Sequence, residues 1–242
     1  MEEYLEIMYI AETFYSVQGE GKHIGVPSFF IRSSGCNLRC EWRDQKTGEV
    51  TKCDTPYTSW EPSGRFVPLE DLVGQAAQTH ANDVVITGGE PFLQKDLPEL
   101  ARMLTESGYQ VTVETNGSIF KELPTQIYMS ISPKMENSIP LGSRYEARHR
   151  RLMRNLEALS KFMARHDYQL KFVVASPEDL DDVSELRTQL AIPAGKVYLM
   201  PEGDNSETIR ERSRWLIELC KEHGFNFSDR LHIHLWGNNR GF

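Results

Sequence analysis

The residues best equipped for chemistry are three cysteines. Three residues separate Cys36 from Cys40, and twelve separate Cys40 from Cys53. Thiolates are soft ligands that hold iron–sulfur clusters or zinc. Gly35 gives the backbone room to turn into the first of them. Three thiolates fall one short of closing a [4Fe–4S] cluster, so one iron would stay open to a further ligand. Zinc is the competing reading, with His23, His232 or His234 as the fourth ligand, although structural zinc sites usually pair two short knuckles. A chance grouping is the third. Cys220 stands apart beside Leu216, Ile217 and Leu219, the setting of a core thiol.

Further polar punctuation follows short β-rich runs. Strands are expected at Ser28–Ser33, Asp83–Thr87, Gln110–Glu114, Ile127–Ser132, Leu170–Ala175, Lys196–Met200 and Leu231–Leu235. The last would put His232 and His234 on one strand face. Helical spacing predicts Leu69–Thr79, Leu97–Ser107, Arg144–His166, Pro177–Gln189 and Thr208–His223. Asp96 and Ser206 are the expected caps, Pro177 opens a helix, and Gly224 ends one. The alternation predicts an α/β fold: a parallel sheet with right-handed crossovers, too short in strands for a closed eight-stranded barrel, hence a single-domain partial (open) β/α barrel over 1–242. In such folds the chemistry sits at the C-terminal strand ends. There fall Gly35-Cys36, Thr87-Gly88-Gly89-Glu90-Pro91, Glu114-Thr115-Asn116-Gly117, Ser132-Pro133-Lys134 and Met200-Pro201-Glu202-Gly203.

The 242 residues, 39% hydrophobic and 26% charged, have the composition of a soluble globular protein. A net charge of −8 argues against nucleic acid as a partner. The acidic start MEEYLEIMYI lacks a signal-peptide pattern, and no apolar run would span a membrane. A cytoplasmic location, where thiols stay reduced, is the expectation. The basic run Arg148–Arg154 reads as a solvated helix face.

The segments Gly35-Cys36-Asn37-Leu38-Arg39-Cys40, Cys53-Asp54-Thr55 and Thr87-Gly88-Gly89-Glu90-Pro91 together resemble the radical S-adenosylmethionine superfamily. Its usual second cysteine gap is two residues. Here Glu41–Lys52 lengthens it, with Lys46-Thr47-Gly48-Glu49 as a turn. Ser16-Val17-Gln18-Gly19-Glu20-Gly21, Phe30-Ile31-Arg32, Glu114-Thr115-Asn116-Gly117, Ser132-Pro133-Lys134 and Leu235-Trp236-Gly237-Asn238-Asn239-Arg240-Gly241 narrow the resemblance to the 7-carboxy-7-deazaguanine synthase family.

That resemblance implies a lyase that converts 6-carboxy-5,6,7,8-tetrahydropterin to 7-carboxy-7-deazaguanine with loss of ammonia, on the way to queuosine or another 7-deazapurine. It implies a [4Fe–4S] cluster on Cys36, Cys40 and Cys53, S-adenosylmethionine, and Mg²⁺ on Thr55. Gly89, Glu90, Glu114, Ser132, Pro133 and Lys134 would hold S-adenosylmethionine, with Glu90 accepting from its ammonium. Val17, Gln18 and Gly19, in a substrate loop spanning 12–27, would follow the pterin together with Thr87 and Thr115. Arg32 would take the substrate carboxylate, since its planar fork pairs with two oxygens. The family also places the chain's terminal carboxylate in the pocket, which makes Phe242 a candidate contact. A homodimer and an acidic redox partner such as flavodoxin, docking on the Arg148–Arg154 run, are further implications. Blander roles compete residue by residue: a tight turn for Gly88-Gly89, a surface ion pair for Arg32 and a helix cap for Thr55.

Overall fold

The computed structural model describes residues 6–43 and 48–242. Its centre is a nine-stranded sheet ordered β11-β10-β9-β8-β7-β6-β2-β1-β5. The strands are β1 (Ile7–Val17), β2 (Pro27–Ser33), β5 (Arg65–Pro68), β6 (Asp83–Gly88), β7 (Gln110–Thr115), β8 (Tyr128–Ile131), β9 (Tyr168–Val174), β10 (Val197–Pro201) and β11 (Asn226–Phe227). From β2 to β11 neighbours pair in parallel; β1 runs antiparallel to both β2 and β5. A separate two-stranded hairpin, β3 (Glu41–Arg43) and β4 (Val50–Lys52), stands apart from this sheet.

The parallel strands follow chain order outward without a reversal. With right-handed crossovers the helices that pack on the sheet's core land on one face. These are α2 (Leu69–Ala77), α3 (Leu97–Glu106), α5 (Leu156–Arg165), α6 (Leu180–Gln189) and α7 (Ser206–His223). The strand residues show why. Phe29 and Ile31, Val84 and Ile86, Val111 and Val113, and Leu170 and Phe172 pack with the helices' Leu72, Leu100, Phe162, Leu186 and Leu216 in the main core. Alternate residues are Arg32, Thr87, Glu114, Ser130 and Lys171, and they line a cavity on the other face. The period-two switch from apolar to polar separates a packed face from a working one. This is the expected open barrel.

Several elements differ from expectation. The span Arg144–His166 is two helices, because Asn155 adopts extended backbone and its side chain accepts from Ala158 N at 3.1 Å; α4 is Glu146–Leu152. Asparagine gains more from capping than from continuing a helix. Asn205, not Ser206, caps α7, accepting from Thr208 N at 2.9 Å. Gly224 closes α7 with φ 67°, the left-handed turn predicted for it. Asp96 precedes α3, but its carboxylate accepts from Ile7 N at 3.2 Å and so pins β1. Pro177 opens a 3₁₀ turn before α6.

Leu231–Leu235 is not a strand. It lies in α8 (Leu231–Trp236), since β11 already occupies the sheet edge and Leu231 N donates to Gly19 O at 2.9 Å. Five residues of alternating pattern do not separate a strand from a short helix. The substrate loop is also shorter than expected: Glu12–Val17 belong to β1, which leaves residues 18–26 as the connection. No helix among the described residues is long and apolar enough to cross a membrane. The proposed turn at Lys46 and Thr47 falls outside the described residues.

Candidate active site

The cysteine loop follows β2 and lies over the strand ends. The long second gap is spanned by the β3–β4 hairpin, in which Glu41 pairs with Lys52 and Cys53 N donates to Cys40 O at 3.1 Å. The two thiol-bearing residues therefore face each other across the hairpin base, whatever lies beyond it. Gly35 takes φ +100° and its N–H donates to Thr58 O at 2.9 Å. Asn37 ties the loop to the β7 end: its amide donates to Ser118 Oγ at 2.8 Å and accepts from Asn116 Nδ2 at 3.0 Å. Arg39 Nη1 donates to Cys36 O at 2.8 Å, and Arg39 N to the buried His149 Nδ1 at 3.3 Å.

Cys36, Cys40 and Cys53 border a small apolar cluster of Leu38, Trp42, Ile139 and Met153, and all three line the cavity. Burial pushes the Cys36 thiol up to about 12 and raises Cys40 and Cys53 as well. Without a cation these thiols stay protonated; a bound metal would supply the charge that ionises them. Leu38 N donates to Cys36 Sγ at 3.4 Å, the kind of contact that steadies a thiolate ligand. Among the described residues no group of three or more His, Cys, Asp or Glu side chains is placed to hold a single metal ion. The candidate fourth zinc ligands are engaged elsewhere. His23 lies 4.6 Å from the Tyr128 ring, His234 pairs with Asp229 at 3.0 Å, and His232 faces Glu20 at 3.9 Å. The soft, water-poor wall fits an iron–sulfur cluster.

Beside the cysteines runs the Gly88–Pro91 turn. A Cβ on Gly89 would stand 2.4 Å from Gly35 O and 2.8 Å from Cys36 Cβ. Glycine here is a requirement of close backbone approach, not a loose turn. Glu90 does not reach the cavity. It is fully buried, and its oxygens accept from Thr115 Oγ1 and Asn116 N at 2.8 Å and from Phe92 N at 3.1 Å. Burial pushes its carboxyl up to about 7 against those donors. Glu90 thus braces the Thr115–Asn116 turn beside the cavity, and neither it nor Pro133 is among the residues that line the cavity.

The remaining candidates converge on one cavity of about 240 Å³. Val17, Gln18, Gly19, Arg32, Thr55, Thr87, Gly89, Glu114, Thr115, Ser132, Lys134 and Phe242 line it with the three cysteines. Glu114 accepts from Gln18 Nε2 at 3.1 Å and Thr87 Oγ1 at 3.0 Å, which joins the substrate loop to two strand ends. Lys134 Nζ donates to Ser132 Oγ at 2.8 Å. Arg32 is anchored through Nε to Glu12 at 2.8 Å, and Glu12 also accepts from Tyr57 at 2.7 Å. Among the described residues no hydrogen bond takes up the terminal nitrogens of Arg32, which lies beside the stacked Phe14 and Phe30 rings. Thr55 occupies the N-cap position of α1 (Pro56–Ser59) without a side-chain cap; its hydroxyl lies 3.4 Å from Cys53 Sγ. Phe242 stacks on Trp236 with ring centroids 5.5 Å apart.

Sequence reasoning passed over Glu12, Tyr57, Lys171 and Arg230. Lys171 is ion-paired with Glu20 and lies 3.8 Å from Glu114. A lysine inside the apolar run Leu170–Val174 was the available signal, because a buried charge in a strand needs a partner. The basic run proves partly neutralised: Arg150 pairs with Glu136 and Glu146, and Arg154 with Asp182 and Glu185.

Comparison with known proteins agrees with this geometry. Residues 30–185 match the Radical SAM superfamily. The 7-carboxy-7-deazaguanine synthase of Halobacterium salinarum is 38% identical over 243 residues, covering 95% of this chain and 90% of the relative. That of Rhodopirellula baltica is 37% identical over 238 residues, covering 96% and 88%. The crystal structure of QueE from Escherichia coli superposes with a TM-score of 0.64 at 26% identity, over 93% of this chain and 95% of that one. Similarity along nearly the whole length, with the thiols and strand-end loops on one cavity, shows that this chain belongs to the 7-carboxy-7-deazaguanine synthase family of radical S-adenosylmethionine enzymes, whose chemistry rests on a [4Fe–4S] cluster and S-adenosylmethionine.

Proposed function

We propose that this enzyme converts 6-carboxy-5,6,7,8-tetrahydropterin to 7-carboxy-7-deazaguanine with loss of ammonia, in queuosine or related 7-deazapurine biosynthesis. The relatives carry the name of that activity. The observation that carries the reading is the cavity itself, which brings an anchored guanidinium, Arg32, and three thiols into one lining.

When bound, a reduced cluster and S-adenosylmethionine would supply one-electron radical chemistry at the pterin. The chain's residues do the rest. Cys36, Cys40 and Cys53 hold the cluster. Gly89 lets the strand end approach the cluster loop, and Glu114, Ser132 and Lys134 offer polar groups to the methionine and ribose parts. Glu90 acts at one remove, bracing the Thr115–Asn116 turn. Arg32 binds the substrate carboxylate with its terminal nitrogens, oriented by Glu12. Val17, Gln18, Gly19, Thr87 and Thr115 border the flat ring, and Phe14 and Phe30 give it an apolar flank that excludes water. Phe242 borders the same cavity.

Mg²⁺ would bind the Thr55 hydroxyl, which is spared from capping, and complete its shell with substrate oxygens and water. A cytoplasmic homodimer reduced by an acidic redox protein completes the reading. The test is anaerobic turnover of the carboxytetrahydropterin with reductant, S-adenosylmethionine and Mg²⁺, followed by mass spectrometry. Formation of 7-carboxy-7-deazaguanine supports it. Cofactor cleavage without that product would assign another radical reaction, and no cleavage at all would remove the cluster assignment.

A further inference from the structure

Arg230 is the most connected cation of the site, and nothing in the reaction above uses it. Its guanidinium touches three loops. Nε donates to Glu20 Oε1 at 3.0 Å, Nη1 to Gly203 O, and Nη2 to Asp54 Oδ2. Glu20 belongs to the substrate loop, directly after Gly19. Asp54 lies between Cys53 and Thr55. Gly203 follows β10. The Arg230 side chain is 7% exposed and that of Glu20 14%, so this arm of the fork works where water screens little; Asp54, at 37%, meets it at the water's edge. The second oxygen of Glu20 is taken by Lys171, whose ammonium also faces Glu114. No hydrogen bond or ion pair joins Glu20 directly to Asp54 among the described residues; Arg230 is their shared partner. Packing reinforces the joint. Leu231 N donates to Gly19 O at 2.9 Å, and a Cβ on Gly19 would stand 2.1 Å from His232 Nδ1.

We infer that Arg230 is a positioning residue that couples the cluster-ligand loop to the substrate loop, so that ordering of Cys53-Asp54-Thr55 fixes Gln18-Gly19-Glu20 in place. The inference rests on the cluster assignment above. Its physical basis is the planar fork. One guanidinium presents donors in three directions at once, which a lysine ammonium on a flexible stem does not reproduce. Coupling of this kind is reciprocal, so a ligand on either loop steadies the other.

Hydrogen exchange of the wild-type protein, before and after anaerobic cluster reconstitution, reads the coupling without any turnover. Cluster loading should slow amide exchange across residues 18–24 by about 5- to 150-fold, the usual range for coupled sites. Arg230→Lys keeps the charge and loses the fork. It should still take up roughly four irons per chain, the content of one [4Fe–4S] cluster, while the loop no longer responds. Glu20→Gln cuts the joint from the other side and should also abolish the response with the iron retained. A wild-type loop that ignores cluster loading, or a full response in both variants, overturns the coupling. A wild-type chain that binds no iron is recognised before any exchange is measured; it removes the cluster assignment and the inference with it.

Discussion

Replacing Gly89 by alanine tests how tightly the strand end is fitted to the cluster loop. The new methyl carbon would lie 2.4 Å from Gly35 O, 2.7 Å from Gly35 C and 2.8 Å from Cys36 Cβ. Ordinary contact begins near 3.4 Å, so the overlap approaches an ångström against backbone, which cannot swing aside as a flexible side chain would. Overpacking of this kind costs about 1–3 kcal/mol. At roughly 2.1 cal/mol/K of unfolding entropy per residue, a chain of this length loses about 0.5 kcal/mol per kelvin, so Tm should fall by about 2–6 °C. The displaced Gly35-Cys36 segment should lower iron retention after reconstitution. Gly195→Ala is the control, because nothing lies within 4 Å of a Cβ placed there. Thermal denaturation and iron analysis on both variants decide the matter. If Gly89→Ala matches Gly195→Ala in both readouts, close backbone approach is not what this glycine is for.

Lys171→Met removes the buried cation between Glu20 and Glu114; breaking a buried pair in this way costs about 3–5 kcal/mol, or about 6–10 °C in Tm, and a loss under 2 °C would refute the buried-network assignment. Burial holds His149 well below its ordinary 6.5, at about 4, so the unfolded chain takes the proton first as pH drops. The stability present above pH 6.5 is therefore lost as pH falls toward 4, and His149→Phe should flatten that part of the denaturation profile; an unchanged slope would mean that His149 is not neutral in the fold. Thr55→Ala should raise the Mg²⁺ concentration needed for half-maximal turnover by about 10-fold or more while leaving iron content intact, and an unchanged Mg²⁺ curve would place the ion elsewhere.

The sequence exposed this fold where local signals and tertiary demands agree. The parallel strands carry branched and aromatic residues between turn signals, and their outward positions form the core that periodicity implies. The candidate site was legible because its loops follow strand ends, where the chain must turn and side chains are free for chemistry. Two kinds of feature stayed hidden. Leu231–Trp236 has a pattern that suits strand or helix, and only the occupied sheet edge and the Gly19 contact decide it. Glu12, Tyr57, Lys171 and Arg230 act through partners distant in sequence: Arg230 meets Glu20 across 210 positions and Asp54 across 176. No local window contains both ends of such a pair. Glu90 falls on its expected turn, but its bonds to Thr115 and Asn116 were not legible, because a motif names a residue without saying which way it faces.

The hairpin between the second and third thiols makes backbone count a poor ruler for ligand distance. Its two arms pair Glu41 with Lys52, Trp42 with Thr51 and Arg43 with Val50, so cross-strand pairing and not the number of intervening residues sets how far apart its feet stand. Any census of such enzymes that demands a fixed interval after the second thiol will pass over members whose spacing is restored by cross-strand pairing.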